Sequence, residues 1–264
     1  MKPFLLPLLV LLVAGFLFCC WLWGQDPYKL LETMDTHYWR PAATALPRPA
    51  FYDTHGRLWC QRLRTATGII QREWDAYVGR GSPLPMFGDL IAGEKKLDGA
   101  YDQTPGKWRT VVLRLYGRDG AAARDFPDTH SLLRSVVPSC STAMFSVLEA
   151  GRCLPTHVGP NHAILRYHLG IRVPSRSCAL TVAGRIRRWR EGEDLLFDDT
   201  LPHSAANRSS EPRVVLFLDV PRPFATDALA ARFTRYLAYH WIFPNHPLIV
   251  NALEFSPYKS NRSS

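Results

Sequence analysis

The chain has 264 residues, 47% of them hydrophobic, and its Lys and Arg residues outnumber its Asp and Glu residues by 9. A chain of this size can bury one sizeable core, and we predict a single main domain. The positive charge suits an anionic membrane, an acidic substrate or nucleic acid. However, the sequence has no zinc finger, no RNA-binding aromatic signature and no basic base-reading helix, so we predict no nucleic-acid partner.

The N-terminal segment is apolar. Residues 3–23 contain no charged side chain, and about 20 such residues suffice for a helix to cross a bilayer. We predict a transmembrane helix over residues 1–24 and hence a single-pass membrane protein. A cleaved signal peptide is the alternative, although this run is longer than the usual apolar core of ~7–15 residues. The flanking charges are mixed, so the side of the membrane that carries the rest of the chain stays open.

Cysteine spacing excludes a zinc site of the CxxC type. Four cysteines follow the apolar segment: Cys60, Cys140, Cys153 and Cys178. They form two disulfides if this part of the chain lies in an oxidising lumen, or they stay buried thiols in a reducing cytosol. The triplets that begin at Asn207 and Asn261 fit the glycosylation acceptor pattern, which matters only in a lumen.

Residues 25–50 are rich in proline and of mixed polarity, which indicates a juxtamembrane linker with Tyr38 and Trp39 at the membrane interface. Residues 51–107 predict a helix and a loop that pack on the core. The helix is indicated by apolar residues at near-helical spacing: Leu58, Leu63, Ile70, Trp74 and Tyr77. The loop, over residues 79–107, is rich in glycine and proline, and long loops in compact domains often carry function.

From residue 108 to residue 223 the pattern changes to short β-like runs separated by turn residues. The runs are WRTVVLRLYG, TAMFSVLEAG, HAILRYHLGIRV, SCALTVAG, DLLFD and PRVVLFLDV. A short helix, HSLLRSVV, lies between the first two and can be capped by Asp128 and Thr129. We therefore predict a mainly β fold, a double-stranded β-helix (jelly roll) with flanking helices.

Helical spacing returns over residues 224–264 and predicts a C-terminal helical extension. The apolar positions that carry this spacing are Leu229, Phe233, Leu237 and Trp241. Because Arg232 and Arg235 share the segment with aromatic residues, it either packs on the domain or lies on a bilayer surface.

Two of the β-like runs carry charged or histidine side chains among apolar ones. Side chains alternate along a strand, so Arg166 and His168 share one face of their run, opposite Tyr167. Arg213 opens the run PRVVLFLDV. An arginine fork binds two carboxylate oxygens at once, so the functional interpretation is a carboxylate clamp. The alternative for Arg213 is a strand-end arginine that reaches solvent.

His157 and His203 lie in turn-like sequence at strand edges, where imidazoles act as metal ligands or are simply solvated. Non-haem iron oxygenases commonly bind iron with two histidines and one carboxylate, in which case the first histidine reads H-x-D or H-x-E. Here Gly159 stands at the carboxylate position. From the residues alone, an iron site therefore lacks its acidic ligand.

These residues resemble the aspartyl/asparaginyl β-hydroxylases, a family of Fe(II)- and 2-oxoglutarate-dependent dioxygenases that includes related lipid A acyl-chain hydroxylases. The matching motifs lie between Trp108 and Pro223: HVGP, LRYHLG, WREGEDLLFDD, His203, and Arg213 leading into LFLDV. The resemblance implies that His157 and His203 bind Fe(II), with Gly159 in place of the carboxylate. It also implies that four residues bind the co-substrate 2-oxoglutarate: Ser146, Arg166, His168 and Arg213.

The reaction that this resemblance implies is hydroxylation of a C–H bond with release of succinate and CO2. His157, His203 and Arg213 are then the catalytic residues, and Arg213 holds the distal carboxylate of 2-oxoglutarate. Asp198 and Asp199 either orient His203 by accepting a hydrogen bond from its ring nitrogen that does not bind the metal, or they accept hydrogen bonds from backbone amides in a turn.

The implied substrate is either a peptidyl Asp or Asn residue or a lipid-linked acyl chain. Three features resemble the lipid-acting branch: the apolar N-terminus and the motifs RYHLG and DVPRP. The motif H-x-G instead fits the peptide-acting branch. Two rival functions stay open: a catalytically inactive jelly-roll binding module, and a cupin-like enzyme with another metal and no 2-oxoglutarate. Apart from the membrane and the substrate, we predict no protein partner.

Overall fold

The structure is a computed structural model that describes residues 24, 26–86, 108–174 and 177–254. The transmembrane helix predicted over residues 1–24 lies outside these residues except for Gly24, and so does most of the predicted loop over residues 79–107. Among the helices that the structure describes, none combines the length and the apolar character that a membrane span requires.

The described strands are β1 (Phe51–Tyr52), β2 (Trp108–Leu115), β3 (Arg118–Asp119), β4 (Thr142–Leu148), β5 (Cys153–His157), β6 (Ile164–Arg172), β7 (Cys178–Val182), β8 (Arg185–Arg188), β9 (Asp194–Phe197), β10 (His203–Asn207) and β11 (Arg213–Pro221). They form a larger sheet of order β1-β9-β6-β11-β4-β2-β3 and a smaller one of order β5-β10-β7-β8. Neighbouring strands pair antiparallel in both sheets. The mainly β prediction is confirmed.

Helices flank the sheets, as predicted. The described α-helices are α1 (Pro27–Met34), α2 (Arg40–Thr44), α3 (Leu58–Thr65), α4 (Thr67–Gly79), α5 (Pro127–Val136), α6 (Leu229–Leu237), α7 (Phe243–Asn245) and α8 (Pro247–Glu254). A first π-helical turn (Asp35–Trp39) joins α1 to α2, and a second (Ala238–Ile242) joins α6 to α7. A 3-10 turn (Ala121–Asp125) precedes α5.

Strand β6 divides its side chains between the two faces of the larger sheet. Tyr167 and Leu169 are fully buried in a core that also contains residues of α3, α4 and α5. Arg166 and His168 instead line a cavity that residues of the smaller sheet also line. The predicted alternation is confirmed, and it delivers polar groups to the space between the sheets.

The helix predicted from Leu58 to Tyr77 is broken at Ala66, whose φ of −85° and ψ of 2° lie outside the helical region. Ile70 and Trp74 are buried as expected, but Leu58 is 62% exposed. Because the break changes the helical phase, the apolar face that contains Ile70 does not continue to Leu58.

Helix α5 is capped by a side chain of α4. Glu73 accepts hydrogen bonds from the backbone amides of Asp128 and Thr129, each at 2.8 Å. A carboxylate in this place satisfies free amides and complements the helix dipole. The local cap predicted from the side chains of Asp128 and Thr129 is therefore wrong, and the long-range cap ties α4 to α5.

The linker predicted over residues 25–50 contains two helices that pack on the rest of the chain. Trp39, expected at a membrane interface, is fully buried, and its Nε1 donates to Thr234 Oγ1 of α6 at 3.1 Å. Leu30 shares the same buried cluster with Ala231 of α6. The expectation was wrong because the proline-rich composition hid an apolar face that the C-terminal helices complete.

Asn207, the first glycosylation triplet, is fully buried on β10. Its Nδ2 donates to the carbonyl oxygens of Leu148, Glu149 and Glu211. A side chain held in this way serves the fold, and the folded chain does not present it for glycosylation. Asn261 lies outside the described residues. The described cysteines are free thiols, three of them buried: Cys60, Cys140 and Cys178, with Cys153 exposed.

Candidate active site

The two histidines predicted as metal ligands face each other on adjacent strands. His157 is the last residue of β5, and His203 is the first residue of β10 and its register partner. Their ring centroids lie 4.1 Å apart. The sequence predicted both at strand edges, and in the structure they lie at strand ends, where the pairing of the strands sets the distance between the rings.

Backbone carbonyls orient both rings. His157 Nδ1 lies 2.8 Å from the carbonyl oxygen of Pro155, and His203 Nδ1 lies 3.0 Å from that of Leu201. When Nδ1–H donates to a carbonyl, the lone pair of the neutral ring resides on Nε2, the arrangement that metal-binding imidazoles use. These contacts, and not carboxylates of the FDD motif, hold Nδ1 of each ring.

Burial keeps both imidazoles neutral. Burial, and after it the neighbouring His157, lower the pKa of His203 to about 3. Burial also lowers the pKa of His157, while the carbonyl of Pro155 opposes that change. Near pH 7 both rings are therefore unprotonated, so protons do not compete for the lone pairs that a metal ion would use.

Arg213, at the start of β11, is 2% exposed, and no acidic side chain among the described residues pairs with it. Its guanidinium carbon lies 4.5 Å from the ring centroid of Trp189. Within the described part of the chain, its Nε and Nη1 are buried and have no hydrogen-bond partner. Burial lowers the pKa of Arg213 to about 10, which leaves it charged at pH 7. A buried cation without a counter-charge is costly unless a ligand supplies one.

His168 lies deep in the same cavity. Its ring contacts those of Trp189, Phe197 and Phe217, with centroids between 5.1 and 5.9 Å away. Both of its ring nitrogens are buried and lack a hydrogen-bond partner among the described residues. Burial and then the charge of Arg213 hold the pKa of His168 well below its usual value. The neutral ring offers one donor and one acceptor to a ligand.

All six side chains predicted to bind metal or co-substrate line one cavity of about 40 Å³: Ser146, His157, Arg166, His168, His203 and Arg213. Trp108 Nε1 donates to Ser146 Oγ at 2.9 Å, so the serine hydroxyl hydrogen can point elsewhere. Arg166 differs from Arg213 because carboxylates already neutralise it. Its Nη1 lies 2.9 Å from Asp199 Oδ2, and its Nε donates to Asp219 Oδ1 at 3.1 Å.

Asp199 occupies the space that a side chain at position 159 would need. A Cβ atom on Gly159 would lie 2.1 Å from Asp199 Oδ2. The Gly159 amide also donates to the carbonyl oxygen of Asp199 at 2.7 Å. Burial raises the pKa of Asp199 to about 6, and Arg166 opposes that rise. Sequence reasoning missed this contact, which explains in steric terms why the H-x-G motif has no side chain there.

Asp198, the neighbouring carboxylate, serves the fold. It accepts hydrogen bonds from Arg222 at 2.6 and 3.0 Å, from Arg48 at 2.9 Å and from the Thr200 amide at 3.1 Å. Burial alone would raise the pKa of Asp198, but these bonds outweigh burial and lower it to about 2. Of the two roles considered for this residue, the structure thus favours the turn.

The protein donors at the histidine pair are two imidazoles. Among the residues that the structure describes, no group of three or more His, Cys, Asp or Glu side chains is arranged to hold a metal ion. The buried donor set of neutral imidazoles still fits a borderline transition metal such as Fe(II), and the unpaired guanidinium beside it fits a carboxylate.

Comparison with protein families gives one match over most of the sheets. The sequence model of the family described as "Aspartyl/Asparaginyl beta-hydroxylase" matches residues 66–223. The match includes the cavity, the helices α4 and α5, and every strand except β1.

The curated relatives that are similar in sequence include the following three. The ornithine lipid ester-linked acyl 2-hydroxylase of Rhizobium tropici is 33% identical over 186 residues, which cover 69% of this chain and 64% of that protein. The aspartyl/asparaginyl beta-hydroxylase of Mus musculus is 32% identical over 46% of this chain and 17% of its own. The human aspartate beta-hydroxylase domain-containing protein 2 is 37% identical over 46% of this chain and 36% of its own. The chain thus spans less than two thirds of each relative.

Solved structures give weaker matches. The DMSP lyase DddQ from Ruegeria pomeroyi is 15% identical with a TM-score of 0.38, over 68% of this chain and 71% of that one. KdgF from Halomonas sp. is 10% identical with a TM-score of 0.30, over 48% of this chain and 93% of that one.

Proposed function

Because this chain belongs to the aspartyl/asparaginyl β-hydroxylase family, we propose that it is an Fe(II)- and 2-oxoglutarate-dependent dioxygenase of a lipid-linked acyl chain. When bound, the iron and the co-substrate supply the oxidation: one atom of O2 enters a C–H bond as hydroxyl, and the other enters succinate as CO2 leaves. We further propose that residues 1–24 anchor the protein in a membrane and that the sheets form a jelly roll.

The observation that carries this proposal is the unpaired charge of Arg213. A guanidinium that is 2% exposed and has no acidic partner among the described residues calls for an anion of matching shape. The distal carboxylate of 2-oxoglutarate is such an anion, and a fork of N–H donors binds it through two oxygens. The unpartnered nitrogens of His168 and the hydroxyl of Ser146 extend the same set of donors along the cavity wall.

His157 and His203 would hold the iron. Their rings are neutral near pH 7, and Pro155 and Leu201 fix their orientation through backbone carbonyls. Two protein ligands leave more of the metal's coordination sphere for water, co-substrate and O2 than the usual two histidines and one carboxylate.

The other residues around the cavity exclude water from it and leave its net positive charge at Arg213. The rings of Trp108, Trp189, Phe197 and Phe217 line its walls and exclude water, which strengthens each electrostatic contact inside. Asp199 and Asp219 neutralise Arg166, so the net cation that is left for a ligand lies at Arg213.

The lipid-linked substrate is supported by the Rhizobium tropici relative, which matches more of this chain than the animal proteins do. That relative is named for hydroxylation of an ester-linked acyl chain. The mouse and human relatives are named as aspartyl/asparaginyl or aspartate β-hydroxylase proteins, and a peptidyl substrate is therefore the second candidate.

Anaerobic titration tests the cofactors. Adding Fe(II) and 2-oxoglutarate to the full-length protein should produce a weak visible charge-transfer band. The band should be absent in His157→Ala and should need much more 2-oxoglutarate in Arg213→Ala. His55→Ala removes an exposed histidine and serves as the matched control. A wild-type protein without a band, or an unchanged band in His157→Ala, would leave the inactive binding module as the better description.

Mass spectrometry tests the substrate. Lipid and protein fractions from cells that express the wild-type protein are compared with fractions from cells that express His157→Ala. One added oxygen on an acyl chain supports the lipid-linked proposal. One added oxygen on Asp or Asn residues of a protein, with unchanged lipids, would replace it by the peptidyl candidate.

A further inference from the structure

Helix α6 directs its large apolar side chains away from the protein. Leu229, Phe233 and Tyr236 are 68%, 62% and 53% exposed, and Trp241 in the following π-helical turn is 65% exposed. The spacing of Leu229, Phe233 and Tyr236 by four and three residues places them along one stripe of the helix. We call Leu229, Phe233 and Tyr236 the outer stripe.

The opposite side of α6 packs through small residues. Ala231 of α6 and Ala238, the first residue of the π-helical turn that follows, are buried in the cluster that contains Trp39. Thr234, on the same side, accepts the hydrogen bond from the indole of Trp39. The orientation of the helix is thus fixed by specific packing, and the outer stripe is exposed because the small residues are the ones that fit the core.

The outer stripe borders an open groove of about 730 Å³. Ile164 of β6 and Pro221 of β11 also line this groove. The charged residues among its described lining are Arg232 and Arg235, and none of that lining is acidic. Apolar side chains flanked by arginines, with aromatic residues among them, are the composition of helices that lie in the headgroup region of a bilayer.

The first described helix and the turn after it pack against the buried side of α6. Helix α6 contacts the first π-helical turn, and α1 shares the buried cluster behind it. The 21 uncharged residues from 3 to 23 are separated from α1 by three residues. Asp35, the first residue of the turn that contacts α6, lies 12 residues after residue 23. If residues 3–23 enter a membrane, α1 and this turn therefore tether α6 near the bilayer.

We propose that the outer stripe lies on a lipid bilayer, with Leu229 and Phe233 among the acyl chains and Arg232 among the phosphates. This docking rests on the proposed membrane anchor but not on catalysis. It adds a second attachment to the anchor and fixes which side of the domain faces the lipid.

Photo-crosslinking in membranes tests this docking. The photoreactive residue p-benzoylphenylalanine replaces Phe233 in the full-length protein, which is expressed and irradiated in its host membranes. Ile186 on β8 is 61% exposed and provides a matched control position. We expect a protein adduct with the mass of a phospholipid at position 233, at a yield at least fivefold above that at position 186.

Equal lipid yields at positions 233 and 186 would overturn the proposal, and so would the absence of a lipid adduct at position 233. An adduct with a second copy of the chain or with another protein would also overturn it, because the outer stripe would then be a protein interface. The crosslink does not require turnover. A hydroxylase that fails this test and a lipid-docked protein without hydroxylase activity are therefore separate outcomes.

Discussion

The two ends of β11 each carry a buried arginine, and the two arginines are held in opposite ways. Arg213 opens the strand and is 2% exposed, and Arg222 follows its last residue and is 3% exposed. Arg222 donates to both carboxylate oxygens of Asp198 and to the carbonyl oxygen of His162. The Nε and Nη1 of Arg213 find no partner in the described chain, and its charge rests on the face of Trp189.

The difference separates structure from function within one strand. A buried guanidinium with its donors satisfied holds elements together, and at Arg222 it joins the end of β11 to the turn after β9 and, through Asp198, to Arg48. A buried guanidinium whose donors lack acceptors destabilises the ligand-free protein, and binding of an anion removes that cost. Equal burial therefore marks a fold contact at one end of β11 and a ligand pocket at the other.

The largest expected effect is a loss of stability at the paired end. Arg222→Ala leaves Asp198 buried with Arg48 as its remaining cation, and removing one partner of a buried ion pair costs about 3–5 kcal/mol. Urea denaturation should give this decrease in the free energy of unfolding. Arg185→Ala, at an exposed position of β8, should change it by less than about 0.5 kcal/mol. Equal losses in both variants would contradict the comparison.

Arg213→Ala should act in the opposite sense. Its removal should leave the free energy of unfolding of the ligand-free protein unchanged or raise it, because a buried cation without a partner is lost. The affinity of the Arg213→Ala protein for 2-oxoglutarate should fall roughly 100-fold, because it lacks two charge-assisted hydrogen bonds of about 1.5 kcal/mol each. Anaerobic calorimetric titration measures the second effect.

Arg213→Lys is the matched control for this prediction. It keeps the charge but loses the planar fork, so its affinity should lie between those of the wild type and Arg213→Ala. A destabilisation of Arg213→Ala as large as that of Arg222→Ala would mean that Arg213 also serves the fold.

The contributions of His203, in the cavity beside Arg213, and of Asp198, the partner of Arg222, to stability should depend on different ranges of pH. The pKa of His203 is lowered to about 3 from 6.5, so the unfolded chain takes up a proton below pH 6.5 that the folded chain does not. Stability should therefore fall from pH 7 to pH 5 in the metal-free protein, by about 2 kcal/mol for each such buried histidine. Asp198 has its pKa lowered to about 2 from 3.8, so its contribution is present above pH 3.8 and is lost only as the pH falls toward 2.

Urea unfolding at pH 7, 6 and 5 measures this dependence. His203→Gln should reduce the slope of stability against pH by the contribution of one proton, and His55→Gln, at an exposed site, should leave the slope as it is. A wild-type stability that is flat from pH 7 to pH 5 would show that the histidines at the ligand end take up protons in the folded chain.

The smallest expected effect concerns the aromatic ring under Arg213. Trp189→Phe keeps a ring and removes only part of the cation–π contact, and we expect that part to be about 0.5–1 kcal/mol of the roughly 2 kcal/mol that a desolvated contact contributes. Affinity for 2-oxoglutarate should fall about threefold in the same titration. Trp241→Phe, at an exposed position, should leave the affinity unchanged. Equal affinities of wild type and Trp189→Phe would mean that the ring only fills space.

The sequence predicted the parts of the fold that a local pattern encodes. Strands β2, β4, β6 and β11 are long runs of apolar residues, and alternation along β6 correctly put Arg166 and His168 on one face. The strands β5, β8 and β10 read CLPTH, RIRR and HSAAN, without an apolar alternation, and were missed for that reason. The resemblance to the β-hydroxylases, by contrast, was confirmed by the family match.

Contacts between distant residues were beyond the sequence. Nothing local distinguishes Arg213 from Arg222, because the partner of Arg222 is a carboxylate 24 residues away. That no described carboxylate pairs with Arg213 appears only in three dimensions. The same holds for Gly159, whose missing side chain makes room for Asp199. The metal and co-substrate roles of the cavity residues stay predictions that the experiments above test.

The carbonyls of Pro155 and Leu201, which orient the histidine rings, are main-chain atoms two residues before each ring. A side-chain substitution does not remove a main-chain acceptor. A single substitution does remove a carboxylate acceptor, and an imidazole held by a carboxylate then loses that hydrogen bond. The backbone conformation that places each histidine therefore also sets the tautomer of its ring. Point mutations in this scaffold will alter what enters the cavity sooner than they alter the way the two rings are aimed.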